Sequence, residues 1–306
     1  MSQIKQINQI NLQRPLLRSR LLCLTTLVAL LSACGAQDFD PKSLFVSYRV
    51  IGIQAEPPTL SLMGESTLSV YDFHPSDLTD DEERPEVSYS WRLCPFTLGS
   101  MVQYECFLDE LELEPNEEGV VTVDPMALLA QAGELMDLFA SGEGIPMQPG
   151  ASAGSPSSLD VYVKLSAEAG DEPPVEVVKK VTLNLSPEAP SNQNPALEAE
   201  GVLIEEPSEG LKVGEEVTLT AQVKASSSET YTPIPVGDEE ATERQEELII
   251  GWSTTAGELD GPYSLIDDPS TKLTLPDEPQ TVRVFVTVRD GRGGLDVQSI
   301  DLTVTE

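Results

Sequence analysis

The residue types that most often carry chemistry are few in this sequence of 306 residues, which holds four Cys and one His. A thiol can act as a nucleophile or a metal ligand, and His is the usual acid–base group at neutral pH. Zinc and copper sites take several His or Cys ligands, so His74 alone argues against such a centre. We expect His74 to be a solvated loop residue.

Residues 150–154 match G-x-S-x-G, the pattern of a nucleophile elbow, with Ser152 as its serine. The motif functions between a strand and a helix, with an acid and a His following it in the chain. Here it lies in a Gly/Ser/Pro-rich stretch, and His74 precedes it. Residues 291–294 are glycine-rich but no helix pattern follows, so they predict no phosphate loop. The sequence therefore predicts a protein that is not an enzyme.

Carboxylates are abundant, with 52 Asp and Glu, and Ca²⁺ takes six to eight oxygen ligands. The weak calcium candidates are Asp80 and Asp81 in one loop and Asp267 and Asp268 in another. None has EF-hand spacing, and runs of charge are usually solvated, so we predict no metal or cofactor and leave Ca²⁺ as a possibility. Glycan binding would need exposed aromatic rings, and the candidates in loop-like contexts are Tyr104, Tyr231 and Tyr263.

The first 33 residues combine four basic residues, no acidic residue, and an apolar run from Leu21 to Leu31 that ends in small residues. This pattern predicts a cleaved export signal, and the apolar run is short for a membrane span. Without it, 14 basic residues face 52 acidic ones, a formal charge of -38. Nucleic acid is excluded as a partner because phosphate backbones are bound by concentrated Lys and Arg.

The tetrad Leu31-Ser32-Ala33-Cys34 resembles the lipobox of bacterial lipoproteins. The resemblance implies that the signal is cut before Cys34 and that Cys34 is acylated, so the lipid bilayer is a partner. Gly35 stands where an Asp would imply retention in the inner membrane. By the same resemblance we expect an outer-membrane anchor, with the body facing the periplasm or the cell surface.

Cys23 leaves with the signal and Cys34 becomes the anchor, so Cys94 and Cys106 remain. A pair of Cys in an oxidising compartment is most simply a disulfide. A metal site is the rival interpretation, but two thiolates without a neighbouring His are poor zinc ligands. We therefore predict a disulfide.

Period-two alternation of apolar and polar residues predicts half-buried strands at 87–93, 217–223, 282–288 and 300–304. Each half of the mature chain has a Gly-Glu turn, a strand carrying one of the two Trp residues (Trp91 and Trp252), and a closing pair of strands. Residues 290–294, Asp-Gly-Arg-Gly-Gly, predict a hairpin turn. A buried Trp among short alternating strands indicates an immunoglobulin-like sandwich.

Residues 284–294 resemble the last hairpin of PKD and related Ig-like extracellular modules, and the chain resembles bacterial cell-surface lipoproteins with two such modules. The implied fold is mainly β, with two tandem immunoglobulin/PKD-like β-sandwiches. The expected divisions are a signal peptide at 1–33, a lipidated tether at 34–43, an Ig-like domain at 44–187, a linker at 188–196, and a second domain at 197–306.

Two insertions depart from that pattern. Asp124 and Pro125 are a good helix start, and the spacing of apolar residues to Phe139 predicts a short helix in the first domain. Residues 141–158 should form a mobile loop, and residues 226–246 a polar insertion without core residues. We predict a membrane-anchored binding or envelope scaffold protein with an unidentified protein or glycan partner. The alternative is a glycan- or calcium-dependent adhesion module.

Overall fold

The chain is built mainly from short β-strands, as the alternation of apolar and polar residues predicts. The computed structural model describes residues 41–79, 83–95, 97, 103–106, 109–126, 158–185, 190–204, 210–233 and 242–306. Cys34, Asp80, Asp81, Ser152 and the predicted loop up to residue 157 lie outside these ranges. Within them, no helix is long and apolar enough to cross a membrane.

The described part of the first half contains eight strands: β1 (Arg49–Glu56), β2 (Thr59–Ser61), β3 (Ser66–Phe73), β4 (Val87–Cys94), β5 (Leu111–Leu113), β6 (Val121–Val123), β7 (Ser158–Ala169) and β8 (Val175–Asn184). They form a three-stranded sheet in the order β1-β3-β6 and a five-stranded sheet in the order β2-β8-β7-β4-β5. Alternate residues of both sheets meet in one hydrophobic cluster, which buries Trp91 of β4.

Eleven strands follow among the residues of the second half that the structure describes: β9 (Leu197–Ile204), β10 (Leu211–Lys212), β11 (Glu216–Val223), β12 (Thr230–Tyr231), β13 (Arg244–Gln245), β14 (Ile249–Thr254), β15 (Glu258–Leu259), β16 (Tyr263–Leu265), β17 (Ser270–Thr274), β18 (Thr281–Arg289) and β19 (Leu295–Thr305). The two larger sheets have the orders β15-β17-β11-β9 and β10-β19-β18-β14-β16, and β12 pairs with β13. A second cluster lies between the larger sheets and buries Trp252 of β14.

Both pairs of sheets follow the strand order of an immunoglobulin fold, in which A, B and E share one sheet and G, F and C the other. In the first half β1, β3 and β6 correspond to A, B and E, while β8, β7 and β4 correspond to G, F and C. In the second half β9, β11 and β17 face β19, β18 and β14 in the same way. Each Trp lies on a C strand and is buried, as predicted.

The predicted final hairpin is confirmed. β18 and β19 pair antiparallel without interruption from Thr281–Thr303 to Arg289–Leu295. In the turn between them, Asp290 accepts hydrogen bonds on Oδ1 from the amides of Arg292 and Gly294, both at 2.8 Å. Gly291 and Gly293 have φ of 75° and 115°, a region that favours glycine.

A third hydrophobic cluster joins the two halves through three phenylalanine rings. The ring centroid of Phe285, on β18, lies 5.5 Å from that of Phe45 and 5.3 Å from that of Phe73. The neighbours of Phe285 on β18, Val284 and Val286, point into the second cluster instead. Phe285 therefore packs on the outer face of its own sheet, against the first half. We call these three rings the phenylalanine joint.

Backbone and side-chain hydrogen bonds reinforce this joint. The amide of Phe45 donates to the carbonyl of Thr254 at the end of β14, and the amide of Thr254 donates to Ser43, each at 2.8 Å. In the predicted linker, Asn194 donates to the carbonyl of Ala55 and accepts from the amide of Leu295. Residues Lys42–Glu306 accordingly form one compact unit.

The two predicted insertions have different outcomes. Asp124 Oδ1 accepts from the amide of Met126 at 2.8 Å, which is the bond of a helix cap, but the rest of the predicted helix lies outside the described residues. Among its described residues, the polar insertion at 226–246 contributes none to the hydrophobic clusters, although it is not wholly solvated. Glu246 is buried, because the β12–β13 pair folds this segment back onto the second half.

Candidate functional site

The predicted covalent link of the first half is confirmed: Cys94 and Cys106 form a disulfide with their Cα atoms 5.7 Å apart. Cys94 is the last residue of β4, and β5 returns to pair with β4 through Leu111. The bridge therefore closes the base of the loop between these two strands. It is structural, since both thiols are consumed.

His74 is not the solvated residue that the sequence suggested. Only 15% of its side chain is exposed, and Nε2 lies 3.2 Å from Oε1 of Glu172. Its Nδ1 accepts a hydrogen bond from the amide of Ser76, which caps the 3-10 helix Pro75–Leu78. The ring ties that helix to the turn between β7 and β8.

These contacts place a serine hydroxyl, an imidazole and a carboxylate in sequence, because Ser76 Oγ lies 2.7 Å from His74 Nδ1. A nucleophile, base and orienting acid in a row can activate serine for acyl transfer. Here Ser76 is 4% exposed, and its own amide already bonds the same ring nitrogen. A substrate carbonyl cannot reach Oγ in this packing, so the arrangement acts as a helix cap.

Next to this cap, the carboxylate of Asp72 accepts hydrogen bonds from two tyrosine hydroxyls and one arginine guanidinium. Its Oδ2 accepts from the hydroxyls of Tyr48 at 2.9 Å and Tyr89 at 2.7 Å, and its Oδ1 accepts from Arg84 at 2.7 Å. Burial, together with the neighbouring Asp72 carboxylate, raises the pKa of both tyrosines above the ordinary range. Both phenols therefore stay protonated and act as donors that fix one end of the first half.

A second polar centre surrounds Arg292 in the hairpin turn. Its Nη1 bonds Oε1 of the buried Glu246 at 2.5 Å, and its Nη2 donates to the carbonyl of Ser191 at 2.6 Å. The guanidinium also lies 4.2 Å from the ring centre of Tyr231. Burial raises the pKa of Glu246, while Arg292 and the amide of Glu229 oppose that change. This centre holds the linker against the second half.

A cavity of about 350 Å³ opens where β1, β8 and the β18–β19 turn meet. Its apolar lining includes Ile51 and Ile53 of β1, Val177 of β8 and Leu295 of β19. The cavity thus takes residues from both halves. We call it the junction groove.

Three cations line the junction groove: Lys179, Lys180 and Arg289. Lys180 has a carboxylate partner in Asp160, at 3.4 Å. Among the described residues Lys179 and Arg289 make no ion pair, and Lys179 Nζ donates to the carbonyl of Gly293 at 2.5 Å. In a chain with formal charge -34, this concentration of basic side chains is a distinct electrostatic feature.

Lys179 occupies a position normally taken by an apolar residue. On β8 it alternates with Val177 and Val181, which contact the first cluster, and it pairs across the sheet with the buried Val163. Burial lowers the pKa of Lys179 to about 8, and the nearby Asp290 only partly restores it. The groove therefore holds a positive charge that lacks full compensation.

The calcium and glycan candidates are dispersed. Asp267 and Asp268 are exposed in the turn after β16, and in the described ranges no three His, Cys, Asp or Glu residues are placed to hold a metal ion together. Tyr104 packs on Tyr162, and Tyr263 is 69% exposed. Calcium binding and glycan binding stay predictions.

Sequence reasoning missed the groove residues. Lys179 and Lys180 interrupt the apolar alternation of β8. A Lys at an inward-facing position of a strand was the signal that could have marked this edge as unusual. Arg289 sits directly before the predicted turn, where basic residues are common on exposed hairpins. Nothing local indicated that the three would meet.

No family model matches the sequence, and no curated protein matches it significantly. Among solved structures, the Ig1-2 module of the Drosophila receptor protein tyrosine phosphatase DLAR is 11% identical, with 85% of this chain and 100% of that chain covered and a TM-score of 0.25. The D0-D1 domain of Intimin is 12% identical, with 83% and 98% covered and a TM-score of 0.21. Scores this low carry no argument, so the fold assignment rests on the strand order.

Proposed function

We propose that this chain is a lipid-anchored, non-enzymatic binding or scaffold protein of the bacterial envelope, made of two Ig-like β-sandwich modules. Residues 1–33 act as the signal peptide, and Cys34 carries the lipid. The lipid is needed for membrane attachment because a body with formal charge -38 is repelled by anionic head groups.

The observation that carries the proposal is the phenylalanine joint. Two sandwiches connected by a flexible linker would move independently, whereas here rings from both halves pack at 5.3 and 5.5 Å and linker residues bond to both sides. A rigid body of this kind can hold a binding surface in a constant orientation. Asn192 contributes directly, because its Nδ2 donates to the buried Asp290 at 2.7 Å.

The start of the body favours presentation close to a membrane. Ser43 already bonds to Thr254, and it lies nine residues after Cys34 in the sequence. Nine extended residues span at most about 30 Å. A lipid on Cys34 would therefore keep the sandwiches near the head groups, on the periplasmic or the outer face of the outer membrane.

The anchor is tested by replacing Cys34 with Ala or with Ser and separating membranes from soluble material. We expect the wild-type protein in the outer-membrane fraction, labelled by a palmitate analogue, and both variants unlabelled and outside it. The Cys94→Ser/Cys106→Ser double variant is the matched control, since it loses two thiols without touching the anchor. A Cys34→Ala protein that stays in the membrane fraction would refute lipid anchoring.

The binding role is tested on intact cells by placing a photo-crosslinking residue at one position and identifying captured proteins by mass spectrometry. Position Lys180, exposed in the junction groove, and position Lys224, exposed on the second half, form a matched pair. We expect a reproducible adduct from position 180 and none from position 224. Equal background from both would contradict a binding role for this surface.

A further inference from the structure

The strand β8 has one edge that is only partly paired. It bonds to β7 along Val175–Asn184 on one side, and to β2 only at Thr182–Asn184 on the other. From Val175 to Lys180 the second edge has no backbone partner among the described residues. An unpaired edge presents a row of amide and carbonyl groups that can bond to another extended chain.

This edge opens into the junction groove, which supplies a place for side chains. The groove is lined by Val177, Val178, Lys179 and Lys180 of β8 together with Ile51 and Ile53 of β1. The β18–β19 turn closes one end, since the Cα region of Gly293 lies near the carbonyl of Lys180. An incoming strand would thus have six residues of free edge, Val175–Lys180, about 20 Å long, with an apolar floor beside it.

Lys179 determines which strand can bind. Its side chain is on the inner face of β8, so a strand added to this edge would cover a positive charge whose hydrogen-bond acceptor is a neutral carbonyl. A neutral or basic strand that covers the Lys179 ammonium removes its water and offers no opposite charge in return, which is unfavourable in free energy. A strand with a carboxylate at the facing position neutralises the charge instead. Arg289 adds a second cation at the rim of the groove.

We propose that the free edge of β8 binds an acidic segment of a partner protein by strand addition, with a carboxylate of that segment placed against Lys179. The segment extends the five-stranded sheet of the first half, and its apolar residues precede the carboxylate, opposite Val175 and Val177. The proposal rests on the binding role proposed above and specifies the chemistry of the partner.

The test uses full-length protein in detergent and three fluorescent, capped heptapeptides that differ at the sixth residue. The acidic peptide is Thr-Val-Thr-Val-Thr-Glu-Thr, whose alternate Val-Val-Glu face matches Val175, Val177 and Lys179 when it adds parallel to β8, as β2 does; the other two carry Gln or Lys in place of Glu. By fluorescence anisotropy we expect the Glu peptide to bind about tenfold more tightly than the Gln peptide, and the Lys peptide to bind most weakly.

Two protein variants assign that preference. Lys179→Met keeps the apolar stem and removes the charge, so the Glu-to-Gln affinity ratio should fall to about one. Lys224→Met removes an exposed lysine outside the groove, and it should leave the ratio unchanged. The melting temperature of each variant is measured alongside, which separates a lost charge from a lost fold.

Backbone pairing is tested with two N-methylated forms of the Glu peptide, one blocking each edge of the extended chain. Strand addition uses one edge, so one form should lose binding and the other should keep it. Amides of residues 175–180 should also exchange more slowly with deuterium when the unmodified peptide is present.

Several results would overturn the proposal: no binding of the Glu peptide at millimolar concentration, equal affinity for Glu and Gln peptides, or a preference that survives in Lys179→Met. Dimer formation that the Glu peptide does not displace would assign the edge to a second copy of the chain and overturn it as well. Each of these is independent of the Cys34 fractionation, so the anchor and the groove can fail separately.

Discussion

Replacing Phe285 with Ala should uncouple the two halves of the body. Its ring is 5% exposed and packs against Phe45 and Phe73. Burying a phenylalanine side chain contributes about 2–3 kcal/mol, and each aromatic pair adds about 0.5–1.5 kcal/mol. We therefore expect the free energy of unfolding to fall by about 3–5 kcal/mol, the range seen for other buried Phe→Ala changes.

The two tryptophans allow each half to be followed separately. Trp91 belongs to the first hydrophobic cluster and Trp252 to the second, so a Trp252→Phe background reports the first half and a Trp91→Phe background the second. In urea the two fluorescence transitions should coincide when Phe285 is present. They should separate in Phe285→Ala, because neither half is then stabilised by contact with the other.

An exposed aromatic residue provides the control for this experiment. Tyr263 is 69% exposed, and Tyr263→Ala should change the free energy of unfolding by less than about 0.5 kcal/mol. A loss below about 1 kcal/mol in Phe285→Ala, or transitions that still coincide, would refute the assignment of the joint.

Three further changes have defined outcomes. Cys94→Ser with Cys106→Ser should cost about 3 kcal/mol of unfolding free energy in urea, because the unfolded loop regains its freedom. Arg292→Met should cost about 3 kcal/mol by the same measurement, since it leaves the buried Glu246 carboxylate without its cation. Lys179→Met should raise the free energy of unfolding at pH 7 by about 2 kcal/mol. Lowering the pKa of Lys179 from 10.5 to about 8 corresponds to a cost of roughly 3 kcal/mol for keeping the amine charged in the folded protein. The variant also loses the hydrogen bond to Gly293, which contributes about 1 kcal/mol, so about 2 kcal/mol remains.

Each change has its own control. Reductant should lower the stability of the wild type to that of the disulfide variant and leave the variant unaffected. Arg283→Met, which removes an exposed pair with Asp301, should cost less than about 1 kcal/mol. For Lys179 the control is pH: the folded pKa lies below the unfolded one, so wild-type stability should fall as pH drops from about 10 to about 8, and Lys179→Met should lack that slope. An unchanged slope in the variant would contradict the assignment.

Local patterns were sufficient to predict the strands, because in a half-buried strand the buried and exposed positions alternate and their residues alternate between apolar and polar. Residues 282–288 alternate on a period of two, and the turn after them contains the glycines that a tight hairpin needs. The disulfide followed from counting cysteines after the signal peptide. These features depend on neighbours in the sequence or on simple elimination.

The residues that define the joint and the groove could not be predicted in the same way. Phe285 occupies an outward position of β18, where alternation indicates solvent, and it is buried by Phe45 from more than two hundred residues away. Glu246 lies in a polar segment and is buried by a contact with Arg292. Local hydrophobicity carries no information about which outward face meets another part of the chain.

The groove and the joint are linked, and that link can be tested. The groove takes Ile51 and Val177 from the first half and Arg289 and Leu295 from the second, so its shape depends on how the halves are held. Phe285→Leu retains an apolar side chain and should cost only about 1 kcal/mol, leaving both halves folded while loosening the joint. We expect this variant to bind the Glu heptapeptide several-fold more weakly, although no groove residue has changed. If its affinity for the peptide matches that of the wild type, then the free edge of β8 alone makes the site, and the second half contributes nothing to binding.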